Sequence, residues 1–153
     1  MNIFYLLVVS VFLFCSTASA REVYSIRVFQ NDAVQVQNDA RLSPGVLILV
    51  HNMDAKEHSE KKLTKLVKSR VTASTKKASP IDAYMTAFND IQNGPQWSSI
   101  YQEIVASTEP EEKAVRYGIK KLPAVLFNDK SIVYGVYSLK EAIQIYENKR
   151  GYQ

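Results

Sequence analysis

Hydrophobic and polar residues follow patterns along the chain that predict four β-strands. Val23–Phe29 alternates and is rich in β-branched and aromatic residues, which is typical of a strand. Val46–Val50 is a continuous apolar run, which indicates a strand buried on both faces of a sheet. Two further strands, Ala124–Phe127 and Ser131–Tyr134, flank a turn at residues 128–130 and therefore predict a hairpin.

Apolar residues recur at helical spacing between these strands and again near the end of the chain. Asp54, with Glu57 three residues further on, forms a capping box that predicts the start of the first helix. Ser79 followed by Pro80 predicts the start of the second helix, because proline is well tolerated at the first helical position. The apolar stripe of this second helix is Ile81, Tyr84, Met85, Phe88 and Ile91. Residues 72–78, between the two helices, are polar and predict a loop.

Three more helices complete the pattern. They are predicted at Trp97–Val105, at Thr108–Gly118 and from Ser138 onward. The order is then two strands, four helices, a hairpin and a closing helix, which predicts an α/β domain with a mixed sheet and helices on both faces. A hydrophobic share of 46% and a charged share of 22% are enough for a folded core and exclude a disordered chain.

Residues 1–20 have the features of a signal peptide. Ile3–Cys15 is an apolar run, and Ala18 and Ala20 have the small-x-small arrangement that signal peptidase requires, which predicts cleavage after Ala20. The run is short for a membrane helix, which needs about 20 residues, although an uncleaved N-terminal anchor is the alternative. We therefore expect a signal peptide at residues 1–20 and one exported domain at residues 21–153, with no membrane span after cleavage.

Cys15 is the only cysteine of the chain and lies within the predicted signal peptide. The exported domain would therefore contain no thiol. Disulfides, cysteine nucleophiles, thiolate metal sites and dithiol redox chemistry all require cysteine, so the sequence excludes them for this domain.

The formal net charge is +4, and much of the excess lies between Lys56 and Lys77. The basic face predicted here consists of Lys61, Lys62, Lys65 and Lys68. Such a face suits an acidic protein, lipid headgroups or nucleic acid, and a solvated helix face is the simpler alternative. No aromatic residues interleave with the lysines, which argues against stacking on single-stranded nucleic acid, and we expect no nucleic-acid partner.

Tyr117–Tyr146 resembles the C-terminal half of the thioredoxin fold: a helix ending in Tyr-Gly-Ile, a Leu-Pro step, a buried strand, a turn, a second strand and a last helix. The resemblance implies a thioredoxin-like single domain in which the Leu122-Pro123 bond is cis and faces the active site. Redox-active members carry Cys-x-x-Cys after the first strand, where Gln30–Ala33 has no thiol, so a redox-inactive member is implied. What remains is binding of a peptide or partner by strand addition at Lys121, Leu122 and Pro123; the alternative is that Pro123 only shapes the core.

A closer resemblance is to a family of exported, thioredoxin-like proteins encoded on integrating conjugative elements. The matching motifs are Gly94-Pro95-x-Trp97, Tyr101, Gly118-Ile119, Lys121-Leu122-Pro123-Ala124-Val125 and Val133-Tyr134-Gly135. This resemblance implies a non-catalytic periplasmic accessory or assembly protein of a conjugative transfer (type IV secretion) system, acting by binding a protein of the cell envelope. Tyr137 is expected to be exposed and suited to such an interface.

Other chemistry has weaker support in the sequence. His51, Asp54, Glu57 and His58 lie close together in the chain, but the two carboxylates are explained as helix-cap residues and the two histidines require a loop reversal to converge, so we expect no metal site. No nucleophile elbow or phosphate loop is present, and we expect no cofactor and no enzymatic activity. Two alternatives stay open: a thiol-independent holdase or peptide-binding module, and an enzyme that uses His51 or His58.

Overall fold

The computed structural model describes residues 23–74 and 79–150. The strands are β1 (Ser25–Gln30), β2 (Leu47–Asn52), β3 (Ala124–Phe127) and β4 (Ser131–Tyr134), and the helices are α1 (Ala55–Ser74), α2 (Pro80–Gln92), α3 (Trp97–Ser107), α4 (Glu109–Arg116) and α5 (Leu139–Arg150). The predicted order of elements is confirmed. The signal peptide with its cleavage site at Ala20, and Cys15, lie outside the described residues. The predicted loop at residues 72–78 was wrong at its start, because α1 continues to Ser74; residues 75–78 lie outside the description.

The four strands form one mixed sheet in the order β2-β1-β3-β4. β1 and β2 are parallel, with Ser25 opposite Leu47, while β3 is antiparallel to both of its neighbours. Residues 31–46 make the long connection that two parallel strands require. The expectation that the Val46–Val50 run is buried on both faces was wrong. β2 is an edge strand, so it has one neighbouring strand instead of two, and Leu47 and Val50 remain more than half exposed.

Helices cover both faces of the sheet, as predicted. On one face, Ile26, Val28 and Phe127 pack against α5, where the ring of Tyr146 stacks on Phe127 with centroids 4.4 Å apart. On the other face, the cluster of Phe29, Ala124 and Leu126 packs against Ala114 of α4. The alternation of side chains along each strand therefore supplies two separate apolar layers, and the chain is a mixed α/β domain.

The β3–β4 hairpin has the turn that its sequence favours. Asn128 and Asp129 have φ angles of 53° and 55°, which is the left-handed pair of a type I′ turn and is tolerated by Asn and Asp. The Asn128 side-chain oxygen accepts hydrogen bonds from the backbone N–H groups of Tyr24 and Ser25, at 2.9 and 3.2 Å. The turn is thereby attached to the start of β1.

Helices α2 and α3 both pack on α1. α2 begins as predicted, with Pro80 at its first position and the Ser79 hydroxyl accepting from the N–H of Asp82 at 3.3 Å. α1 begins next to Asp54 as predicted, but the capping-box pair is used differently: the Asp54 carboxylate accepts from the N–H of Asp32, and Glu57 pairs with Lys61. Of the helices within the described ranges, none combines the length and apolar character that a membrane crossing requires.

Candidate partner-binding site

One end of the sheet brings together the segments that the sequence singled out. β1 and β2 both finish there, at Gln30 and Asn52, and the antiparallel β3 begins there, because Phe29 is opposite Ala124. The residue before β3 is Pro123, and the Leu122-Pro123 bond is cis, as the resemblance implied. Pro123 itself is fully buried and its carbonyl accepts from the N–H of Gly135 at 3.0 Å.

Leu122 lies at the surface of this end of the sheet. Its side chain is partly buried and packs against the cluster of Phe29, Ala124 and Leu126, as that of Met53 also does. Lys121 beside it is exposed. Within residues 23–74 and 79–150, neither the backbone N–H nor the C=O of Leu122 has a hydrogen-bond partner. An open backbone donor and acceptor beside an apolar side chain can accept an extended peptide by strand addition.

Tyr137 is at the same end of the sheet, because it follows β4 and lies two residues after Gly135, which donates to Pro123. Its side chain is 58% exposed, as expected, and its carbonyl accepts from the N–H of Gln37 at 2.8 Å. The four residues named as a binding edge from the sequence, Lys121, Leu122, Pro123 and Tyr137, are therefore gathered at one end of the sheet, although Pro123 contributes its backbone and shape rather than an exposed ring. We call this group the Leu122 edge.

The segment after β1 occupies the place where the resemblance puts a dithiol. The Asn31 side-chain oxygen accepts from the N–H of Val34 at 2.8 Å. Asp32 accepts from Asn52 Nδ2 at 3.0 Å and contacts His58 Nε2 at 2.7 Å. The hydrogen bond from Asn52, helped by the charge and hydrogen bond of His58, lowers the pKa of Asp32. These polar groups are thus bound to one another and hold the β1–β2 connection against the start of α1.

The two histidines lie in different surroundings. His58 is half exposed and paired with Asp32, whereas His51 is 6% exposed and stacks on Phe29, with ring centroids 4.8 Å apart. Among the described residues, no group of three or more His, Asp, Glu or Cys side chains is placed to hold a metal ion.

The basic face on α1 is partly neutralised by neighbouring glutamates. Lys61 contacts Glu57 at 2.5 Å within the same helix, and Lys62 contacts Glu103 of α3 at 2.6 Å. Lys61, Lys65 and Lys68 line a shallow depression together with Glu57, Glu60 and Thr64. This face is separate from the Leu122 edge, since it lies along α1 and not at the strand ends.

A second surface was not identified from the sequence. α2 buries its small residues Ala83 and Ala87 together with Ile91, and directs larger apolar side chains to solvent. Phe88 contacts Trp97 of α3 edge to face, with centroids 6.1 Å apart, and Trp97 contacts Tyr101 at 6.2 Å. The α2–α3 apolar surface consists of Ile81, Tyr84, Met85, Phe88, Trp97 and Tyr101. The available signal was the pair of alanines four residues apart, which marks a face suited to close helix packing and leaves the larger residues outside it.

The mixed four-stranded sheet, with α5 on one face and α4 on the other, defines the class as a mixed α/β domain. The chain belongs to the family described as "Protein of unknown function (DUF1525)", whose family model matches residues 25–151. No curated protein matches the chain, and no solved structure matches it.

Proposed function

We propose that this protein is a non-catalytic periplasmic accessory or assembly protein of a conjugative transfer (type IV secretion) system of an integrating conjugative element. In this proposal it is exported by residues 1–20 and binds another component of the cell envelope. The sheet order β2-β1-β3-β4 and the cis Leu122-Pro123 bond at the start of β3 are compatible with a thioredoxin-like arrangement, which supports the resemblance on which the proposal rests.

The observation that carries the proposal is the open backbone of Leu122 beside an apolar contact area. Strand addition uses main-chain hydrogen bonds for affinity and side-chain contacts for specificity. Leu122 has an open backbone N–H and C=O for these hydrogen bonds, and its side chain packs against the buried cluster and offers an apolar contact. The segment at Gln30–Ala33 supports binding without catalysis, because it has no thiol and its polar side chains are bound to neighbouring residues.

The experiment is affinity purification of the tagged protein from envelope fractions after cross-linking, in cells that carry the transfer genes. The native protein should co-purify with a component of the transfer apparatus, and Leu122→Asp should lose it, because a charge is placed on the apolar contact area. Val115→Asp is the matched control, since Val115 on α4 is 82% exposed. A native protein that remains alone and monomeric after cross-linking would contradict the proposal.

A thiol-independent holdase is the second candidate, and the same backbone observation favours it. Main-chain recognition at Leu122 does not depend on the peptide's sequence, so unrelated unfolded chains can use it. The two candidates differ in selectivity: a holdase binds several reduced, unfolded proteins weakly and comparably, whereas an assembly protein retains one envelope component. Competition of an unfolded model protein against the cross-linked component separates them.

A further inference from the structure

We propose that the α2–α3 apolar surface is a second protein-binding site, and that it receives an amphipathic helix whose apolar face is flanked by lysine or arginine. The site is distinct from the Leu122 edge and does not depend on the function proposed for that edge.

The first step is the size and composition of the surface. Ile81 is 75% exposed, Met85 58% and Tyr101 56%, and the half-buried rings of Phe88 and Trp97 connect the two helices. A contiguous apolar patch of this kind on a folded domain marks an interaction site. Its residue types, Trp, Tyr, Phe and Met, are those enriched in the centres of protein interfaces.

The second step is charge, which selects the partner. Residues 79–107, which make up α2, α3 and their connection, contain Asp82, Asp90 and Glu103 and no Lys, Arg or His. At 3.6 residues per turn, Asp82 follows Met85 around α2, so a carboxylate borders the apolar residues on that side. A surface that binds anionic lipid or nucleic acid needs cations beside its apolar groups. Residues 79–107 supply none, and Lys62 of the neighbouring α1 is paired with Glu103. A partner with cations flanking an apolar stripe is complementary to it.

The third step is shape. α2 and α3 both pack on α1, and Phe88 meets Trp97 between them, so the exposed apolar side chains lie along two neighbouring helices. Ile81 and Met85 are one helical turn apart on α2, which matches the spacing at which a partner helix presents its own apolar residues. A helix laid along this surface therefore contacts aromatic residues from both elements.

Trp97 is the only tryptophan of the chain, so its fluorescence reports on this surface specifically. The purified protein is titrated with a synthetic amphipathic helix of leucine and lysine, and with a counterpart in which glutamate replaces lysine. We expect the lysine peptide to shift Trp97 emission with saturation and to bind at least about tenfold more tightly than the glutamate peptide. Met85→Asp should weaken binding by about tenfold or more, while Val115→Asp, the same change at an exposed valine on α4, should leave it unchanged.

Three results would overturn the proposal. The first is equal affinity for the two peptides, or an unaltered affinity in Met85→Asp. The second is a Trp97 shift with vesicles of anionic phosphatidylglycerol and none with the lysine peptide, which would assign the surface to a membrane. The third is that the protein does not bind the lysine peptide but forms a concentration-dependent dimer in sedimentation, and that Met85→Asp abolishes this dimer. That result would assign the surface to a second copy of the chain.

Discussion

The imidazole of His51 lies on the ring of Phe29, with ring centroids 4.8 Å apart and planes 22° apart. The two residues are register partners on the parallel strands β2 and β1. His51 Nε2 is buried and has no hydrogen-bond partner within the described ranges. Burial lowers the pKa of His51 below its ordinary value of 6.5, opposed in part by the negative charge of Glu109. Burial in the apolar layer between the sheet and α4 therefore favours the uncharged form of this imidazole.

This burial predicts a pH-dependent stability that is specific to His51. The folded-state pKa of His51 lies below 6.5, so as the pH falls the unfolded chain binds a proton at His51 before the folded chain does. The contribution of His51 to the free energy of unfolding is therefore fully present above pH 6.5 and is lost as the pH falls through the folded-state pKa. The other charges acting on the imidazole are Arg27 and Lys113, both of which oppose its protonation.

The test is His51→Phe, which keeps an aromatic ring on Phe29 and removes the buried nitrogen. At about pH 7.5 we expect the free energy of unfolding of the variant to equal that of the native protein or to exceed it by up to about 2 kcal/mol, because a buried polar atom without a partner is removed. Between about pH 7.5 and 5.5 the variant should lose less stability than the native protein in urea unfolding. All other titratable groups are common to the two proteins, so the comparison isolates His51. Parallel pH profiles for the two proteins would show that His51 does not carry the effect.

The hairpin turn provides a second prediction. Arg27 on β1 donates from Nε to Asp129 at 2.7 Å, and its guanidinium lies 5.3 Å from the ring centroid of Tyr117. The hydrogen bond from Arg27 lowers the pKa of Asp129. The contribution of this pair to the free energy of unfolding is therefore fully present above pH 3.8 and is lost as the pH falls through the folded-state pKa. Asp129→Asn keeps a residue that tolerates the positive φ and removes the charge, and we expect a loss of about 1 kcal/mol in urea unfolding at neutral pH. An unchanged unfolding midpoint would mean that the turn alone holds the hairpin.

The packing of α2 on α1 provides a third prediction. Ala87 is 2% exposed and shares the buried face of α2 with Ala83 and Ile91, so Ala87→Leu inserts a larger side chain into a packed face. We expect a loss of about 1–3 kcal/mol in the free energy of unfolding. Thr86→Leu is the control, because it introduces the same residue at the exposed neighbouring position. We expect it to change the free energy of unfolding by no more than about 0.5 kcal/mol. If the two variants are equally stable, Ala87 does not face α1.

Much of the fold was predictable because its signals are local. Ser79-Pro80 specifies a helix start, and Asn128-Asp129 supplies the two positive φ angles of the hairpin turn, whatever the rest of the chain does. The edge position of β2 was not predictable, because it depends on which strands pair across the sheet. An apolar run such as Val46–Val50 reads the same in a central strand and at an edge.

The two proposed binding surfaces also differ in how far the sequence could predict them. The register of β3 with β4 places Leu122 and Tyr137 at the same end of the sheet, which the hairpin and the resemblance made predictable. The exposure of Ile81 and Met85 was not predictable. Helical periodicity gives the width of the apolar face of a helix, but it does not show which part of that face a neighbouring helix covers. The burial of His51 was missed for a similar reason, since it depends on α4 packing over the strand end.

The central claim, that the protein serves conjugative transfer by binding a partner at the Leu122 edge, is tested most directly by transfer frequency. The gene is deleted from an element-bearing donor and restored as the native form, as Leu122→Asp or as Val115→Asp, with equal protein amounts confirmed in the periplasm. We predict that deletion abolishes transfer, that the native form and Val115→Asp restore it, and that Leu122→Asp does not. Undiminished transfer from the deletion strain, or full restoration by Leu122→Asp, would contradict the claim.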